Sequence, residues 1–278
     1  MKKITIYDKR LIKKFLIQAS FISAFFTLAL AFMSIPDDFK KPSGYSFLAL
    51  LTIIYIFNWV ELNSLKSISL KIEGSTVNIK TGDLFLQPGF KAIAFNEYFD
   101  TIVDDKIISH ASLNGIFITQ HSKTSLEALD KHIESYDYDN DDLLEDAQNR
   151  ISGKKQKYEL GTICVYNDFL LAAFSRFDEK NKAYLTMPDY LGFLIKFWDK
   201  VNKIYAQKSV SVPIFGSGIT RIKEHRNISD EELLKIMLWT FRISEMRFKH
   251  PAKLSIIIHK DKINEINLLD ILSTKHGL

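Results

Sequence analysis

Cysteine is nearly absent: Cys164 is the only one in 278 residues. That excludes an internal disulfide and any multi-cysteine zinc site, and a lone thiol in an apolar run reads as a small buried residue in a reducing compartment. A buried thiol is also a poor nucleophile. No internal repeat is detectable. An excess of one charge sign is lacking too, with 37 Lys and Arg against 33 Asp and Glu, a formal balance of +4; this gives no ground for a nucleic-acid partner. His110 and His121 flank a turn at a separation unlike a zinc pattern, so no metal site is expected. What remains, 46% hydrophobic and 25% charged residues, is the composition of a folded protein.

Uncharged runs are not scarce. Phe15 to Ile35 has no charge over 21 residues; as a helix it is roughly 31 Å long, matching a hydrocarbon core of about 30 Å. A second run, Tyr45 to Val60, reaches the interfaces with its neighbours, giving expected spans over 15–35 and 43–62. Between them the polar Pro36–Pro42 segment predicts a tight turn. The run is too long for a signal peptide, and a second span follows at once. Residues 1–64 are therefore expected to form a transmembrane helical hairpin in the cell inner (plasma) membrane. Lys2, Lys3, Lys9, Arg10, Lys13 and Lys14 precede the first span against Asp8 alone, which places the N-terminus, and after two crossings the C-terminus, in the cytoplasm. Ala19, Ser20, Ser23, Ala24, Thr27 and Ala31 suit close helix packing, either in self-association or on the second span.

Residues 65–278 read as one α/β domain. Ser67–Ile72 and Val77–Lys80 alternate as a hairpin, and the apolar run Lys91–Phe95 predicts a buried central strand. Ser125–Tyr136 has helical spacing, Tyr158–Tyr166 and Leu170–Phe177 read as strands, and Pro188 opens a helix to about Ala206. In that helix Leu191, Ile195, Trp198 and Ile204 are expected to pack, with Lys196, Lys200 and Lys203 facing water. Ser229–Glu232 is a capping box starting another helix; Lys253–His259 is a strand and Ile263–Leu272 a final helix. The acidic stretch near 137–146 resembles the start of a calcium loop. Its sixth position, however, is Asp142 rather than glycine and its twelfth is Gln148 rather than glutamate, so a solvated insertion is expected.

The stretch that organises the domain is Ser209–Ile222. Val210 and Val212 alternate with polar residues, and the strand breaks at Pro213 into Gly216-Ser217-Gly218. Such a break lets backbone N–H groups approach a phosphate with no Cβ in the way, though any strand-to-helix turn can need glycine. Both readings stand on these residues alone. Arg221 and Lys223 follow, as phosphate partners or as surface charge.

Three stretches in order resemble a macro domain. Gly82-Asp83-Leu84 is similar to the family's early G-D-I, Ala92-Ile93-Ala94-Phe95-Asn96 to its strand and asparagine, and Pro213-Ile214-Phe215-Gly216-Ser217-Gly218-Ile219 to its glycine loop. With the hairpin in front, and with the stretches at Asn96 and at Ser112-Leu113-Asn114-Gly115, the chain resembles the membrane-anchored macro effectors of Thoeris antiphage systems. The resemblance implies an N-terminal two-helix transmembrane hairpin followed by an α/β/α macro-like domain with a mixed central sheet. It implies no cofactor, but a ligand: an ADP-ribose derivative, in the histidine- or imidazole-linked adenine dinucleotide form, made by a TIR-domain partner. The implied response is assembly into a homo-oligomer and membrane disruption.

By the same resemblance Asp83, with Leu84, takes the adenine, Asn96 is the family's strand-end asparagine at the ligand, Ser112, Leu113, Asn114 and Gly115 form the first phosphate-side loop, and Pro213, Phe215–Gly218, Ile219 and Thr220 wrap the diphosphate. The hydrolase pattern of further asparagine and glycine after the first asparagine is missing, since Glu97-Tyr98-Phe99-Asp100 stands there. Binding without turnover is expected; a membrane-anchored ADP-ribosyl hydrolase and a constitutive ADP-ribose reader are the alternatives.

Overall fold

The computed structural model describes residues 4–178, 181–218, 222, 225 and 227–273, and the chain divides into two compact units, Met1–Lys66 and Ser67–Leu278.

The first unit is a helical hairpin, α1 (Lys9–Phe32) and α2 (Asp37–Asn63), each long and apolar enough to cross a membrane by length and composition. Asp8 caps α1 by accepting from the Arg10 N–H. The turn is shorter than Pro36–Pro42. Pro36 is the N-cap of α2, and Asp37 and Asp38 lie in its first turn, where their charge complements the helix dipole. Pro42 is inside the helix, close enough to its start that only an early backbone bond is forfeited. Phe15 meets Tyr55 edge-on, and Phe26 meets Phe47 in the same way. Asn58, 1% exposed, donates its amide to the Gln18 carbonyl oxygen. The segment before α1 lies against the end of α2: the Ile4 N–H donates to Asn63 Oδ1 (2.8 Å) and Trp59 Nε1 donates to the Ile4 carbonyl (2.8 Å).

The second unit begins with the hairpin β1 (Ser67–Ile72) and β2 (Ser75–Thr81), then β3 (Phe90–Asn96), the short α3 (Leu113–Ile116) and α4 (Leu126–Ser135). Two-residue strands β4 (Leu143–Leu144) and β5 (Lys157–Tyr158) pair with each other; β6 (Ile163–Tyr166), β7 (Phe169–Phe177) and β8 (Ala183–Tyr184) follow. The chain closes with α5 (Met187–Ile204), β9 (Val210–Pro213), α6 (Asp230–Ile243), β10 (Leu254–Ile258) and α7 (Leu268–Ser273).

The main sheet runs β1-β2-β10-β9-β3-β7-β6, with β8 pairing onto β7. The five inner strands from β2 to β7 are mutually parallel and β1 and β6 are antiparallel, so the sheet is mixed. Alternate residues of a strand face opposite layers. Ile93, Phe95, Leu171 and Ala173 join Leu129 and Ile133 of α4 in one core. On the opposite layer Phe174 packs on Phe193 of α5 (centroids 4.8 Å apart), and Trp198 on Phe241 of α6 (5.3 Å). The result is an α/β/α sandwich.

Both long helices of this layer begin in capping boxes, Thr186 with Asp189 and Ser229 with Glu232. Two surface expectations fail. Asp142 is 2% exposed and pairs with Lys196 and Lys200 of α5, so this acid pins the insertion to that helix, while Asp137, Asp139, Asp141, Glu145 and Asp146 are exposed. Ile195, read as a packing residue, is 41% exposed, because α5 turns that position outward.

Candidate functional site

Parallel strands bring their carboxyl ends to one edge, and here β2, β10, β9, β3 and β7 end at Thr81, Ile258, Pro213, Asn96 and Phe177. From β3 the chain moves outward to β7, whereas β9 lies on the other side of β3 and leads on to β10. The direction therefore reverses between β3 and β9. A ligand of an open α/β sheet sits at such a reversal, outside the carboxyl ends. The two strands also part there: they are in register only at Phe90–Val210 and Lys91–Ser211, although β3 runs on to Asn96. Asp83, Asn96 and the glycine turn follow β2, β3 and β9 at this edge.

Pro213, buried, ends β9. The glycine turn is built from its core side. Phe215 is 1% exposed among Phe174, Phe193 and Phe197, and buried Tyr190 donates its hydroxyl to the Phe215 carbonyl at 3.0 Å. The chain then reverses at Gly216, whose φ of +84° favours glycine, and the Ser217 N–H closes back on the Ile214 carbonyl at 3.2 Å. Ser217 Oγ donates to Asp230 Oδ2 at the start of α6 (2.9 Å). A Cβ on Gly218 would meet nothing within 4 Å among the described residues. Ile219 and Thr220 lie outside the described residues, as do Arg221 and Lys223.

Asn96 ends β3 at a register shift against β7, the kind of bulge that re-aims a side chain. Its amide serves its own loop: Oδ1 accepts from the N–H groups of Tyr98 (3.0 Å) and Asp100 (3.3 Å), and Nδ2 donates to Asp100 Oδ2 (2.9 Å). Asp100 in turn receives Arg150, which also donates to Asn181 Oδ1 and stacks over Tyr98 at 3.9 Å. Asp83 is exposed, with Oδ1 accepting from the Phe85 N–H (2.8 Å), whereas the Leu84 side chain is buried in the core beneath α4.

Ser112 caps α3. Its Oγ donates to the Ser109 carbonyl and to Asn114 Oδ1 (both 2.6 Å) and accepts from the Gly115 N–H. Gly115 is required by packing, because a Cβ there would stand 2.2 Å from the Ser109 carbonyl oxygen. Leu113 packs on the same core as Leu84. His110, before this turn, is anchored twice by Asp105, through its own N–H and through Nδ1, both at 2.9 Å.

Sequence reasoning passed over Arg150, Arg176, Asp230 and Lys262. Arg176 at the end of β7 reaches buried Glu97 and Asp189 (both 3.2 Å); these contacts raise its pKa against the opposing effect of burial. Lys262, in the loop after β10, approaches Asp230 Oδ2 at 3.6 Å. None of these pairs has a local spacing that would reveal it. Burial pushes the Cys164 thiol up to about 12, which leaves it inert. Among the described residues no group of three or more His, Cys, Asp or Glu is placed to hold a metal. Two cavities lie away from the strand ends: one of about 580 Å³ against Gln18 and Asn58 in the helical hairpin, and one of about 220 Å³ among Asp139, Asp142 and the lysines of α5.

Residues 77–259 match the family described as Thoeris protein ThsA, Macro domain. The chain is similar to the Thoeris protein ThsA of Bacillus amyloliquefaciens (strain Y2), with 38% identity over 235 residues, covering 81% of this chain and 77% of that protein. Among solved structures it resembles the Oceanobacillus iheyensis macrodomain with ADP, at a TM-score of 0.44 and 11% identity, covering 76% of this chain and 98% of that one. The same macrodomain with MES bound gives a TM-score of 0.42 and 12% identity with the same coverage.

Proposed function

Because the chain belongs to the macro-domain family of Thoeris ThsA proteins, we propose that it is a membrane-anchored antiphage effector whose macro domain captures an ADP-ribose-type signal. The observation that carries this reading is the parting of β3 and β9, with Asp83, Asn96 and Gly218 following strands at the same edge. Asp83 keeps a carboxylate oxygen for an exocyclic amine, and the N–H groups of the glycine turn receive phosphate oxygens. The signal is an ADP-ribose derivative, histidine- or imidazole-linked, supplied by a TIR-domain partner. Asn96 has its amide committed to Tyr98 and Asp100, which supports binding over hydrolysis.

The helical hairpin is the anchor. Its two ends lie together, with Lys14 Nζ 2.7 Å from Glu61 Oε2, which supports entry and exit on one side, and the lysine-rich start favours the cytoplasm for that side. Ligand binding drives assembly and membrane disruption by favouring the assembled state, for which its affinity must be higher.

Isothermal titration of the full-length protein in detergent with ADP-ribose and its histidine conjugate tests the reading. Heat is expected, and Gly218→Val is expected to abolish it because a side chain there blocks the approach of phosphate. Unchanged affinity in Gly218→Val removes the glycine turn from the site. Release of product during the titration would make the protein a hydrolase, and binding without leakage from dye-loaded liposomes would make it a reader.

A further inference from the structure

We propose that Asp230 and Lys262 form a charge gate on the glycine turn, with Lys262 the cation a diphosphate recruits and Asp230 the anion it must displace. This rests on reading the turn as the diphosphate site. Asp230 Oδ2 accepts from Ser217 Oγ at 2.9 Å and lies 3.6 Å from Lys262 Nζ. The carboxylate is 7% exposed, and Lys262 is half-buried, with Glu265 Oε2 as its other partner at 3.2 Å. The hydroxyl and the ammonium come from loops that leave neighbouring strands, since Pro213 of β9 lies opposite Ile257 of β10. One carboxylate thus links the hydroxyl of the turn to the Lys262 ammonium.

Helix α6 cannot supply the missing attraction. Its first turn carries Asp230, Glu231 and Glu232, and the Glu232 N–H is already capped by Ser229. The positive end of the helix is offset by its own acids. Among the described residues, a phosphate arriving at Ser217 therefore meets the Asp230 carboxylate first, and binding becomes favourable when Lys262 transfers from Asp230 to the phosphate. A small free anion has no other contact to offset that exchange, whereas a nucleoside diphosphate has its base and ribose. The gate selects the nucleotide over the phosphate that surrounds it.

The test is titration of the full-length protein in detergent with ADP-ribose, inorganic pyrophosphate and adenosine, comparing wild type, Asp230→Asn and Lys262→Gln. Removing one charge a few ångströms from a partly solvated anion changes affinity by roughly five- to tenfold. Asp230→Asn should tighten ADP-ribose by about that factor and pyrophosphate by at least as much, and Lys262→Gln should weaken both, with adenosine unmoved in either variant. Unchanged or weaker ADP-ribose binding by folded Asp230→Asn overturns the gate. If that variant does not fold, Lys262→Gln decides, and unchanged affinity there overturns it equally. If wild type and both variants give no heat with ADP-ribose, the diphosphate reading itself fails and the gate falls with it.

Discussion

Arg150 grips Asp100 through both terminal nitrogens, at 3.0 and 2.6 Å, with only 4% and 1% of the two side chains exposed. The pair ties the segment after the acidic insertion to the loop that leaves β3, and Asp100 also accepts from the Lys154 N–H at 2.8 Å. Removing one partner strands a buried charge, so Asp100→Leu should cost about 3–5 kcal/mol. The double change Asp100→Leu with Arg150→Met should cost less than the single one. Denaturant midpoints of the full-length protein in detergent check this; a double variant as unstable as the single would show that the pair's geometry, not its charge balance, is what matters.

The glycines of the site separate folding from binding. Gly216 sits at a φ of +84° in ordinary contact with Leu233 and Tyr190, and a Cβ on Gly218 would meet nothing within 4 Å among the described residues. Gly216→Ala should therefore lose about 1–2 kcal/mol through backbone strain alone, while Gly218→Ala leaves stability within about 0.5 kcal/mol. Gly115→Ala should be the worst of the three, because its Cβ would overlap the Ser109 carbonyl. Thermal melts rank them, and equal melts for Gly216→Ala and Gly115→Ala would contradict the packing described.

Acid should loosen the insertion. Burial alone would raise the Asp142 carboxyl, but hydrogen bonds from Lys200 and Lys196 outweigh it and hold the group below its ordinary range. A depressed native pKa contributes stability above the unfolded value, near pH 4, and that contribution is lost as pH falls through the native value. Asp142→Asn should cost about 2 kcal/mol at pH 7. Its stability should also fall less than that of wild type between pH 5 and pH 3. Parallel pH profiles of the two proteins would refute the assignment.

The parts of the fold legible in sequence were those written in neighbouring residues. The apolar run at Lys91–Phe95 became β3, the Ser229–Glu232 capping box opened α6, and Pro188 fell in the first turn of α5. The final helix came in two pieces, a short turn at Ile263–Glu265 and then α7. Hidden were the contacts that join distant segments. Asp142 looked solvated because six acids crowd that stretch, and only folding brings Lys196 and Lys200 over it. Arg150 lies 50 residues from Asp100, and nothing in the spacing of either announces the other. At the candidate site the glycine turn was legible because backbone conformation leaves a residue-type signature. Asp230 was legible only as part of a cap, and Lys262 not at all, since an ion pair between a helix start and a distant loop leaves none.

Gln18 and Asn58 meet amide to amide inside the helical hairpin. In the hydrocarbon of the proposed membrane span, sliding one helix a full turn, about 5.4 Å, past the other would leave both amides facing oil. The couple is then a detent against piston strokes. On the proposed function, a signal reaching the proposed anchor would tilt or rotate the two helices as one piece.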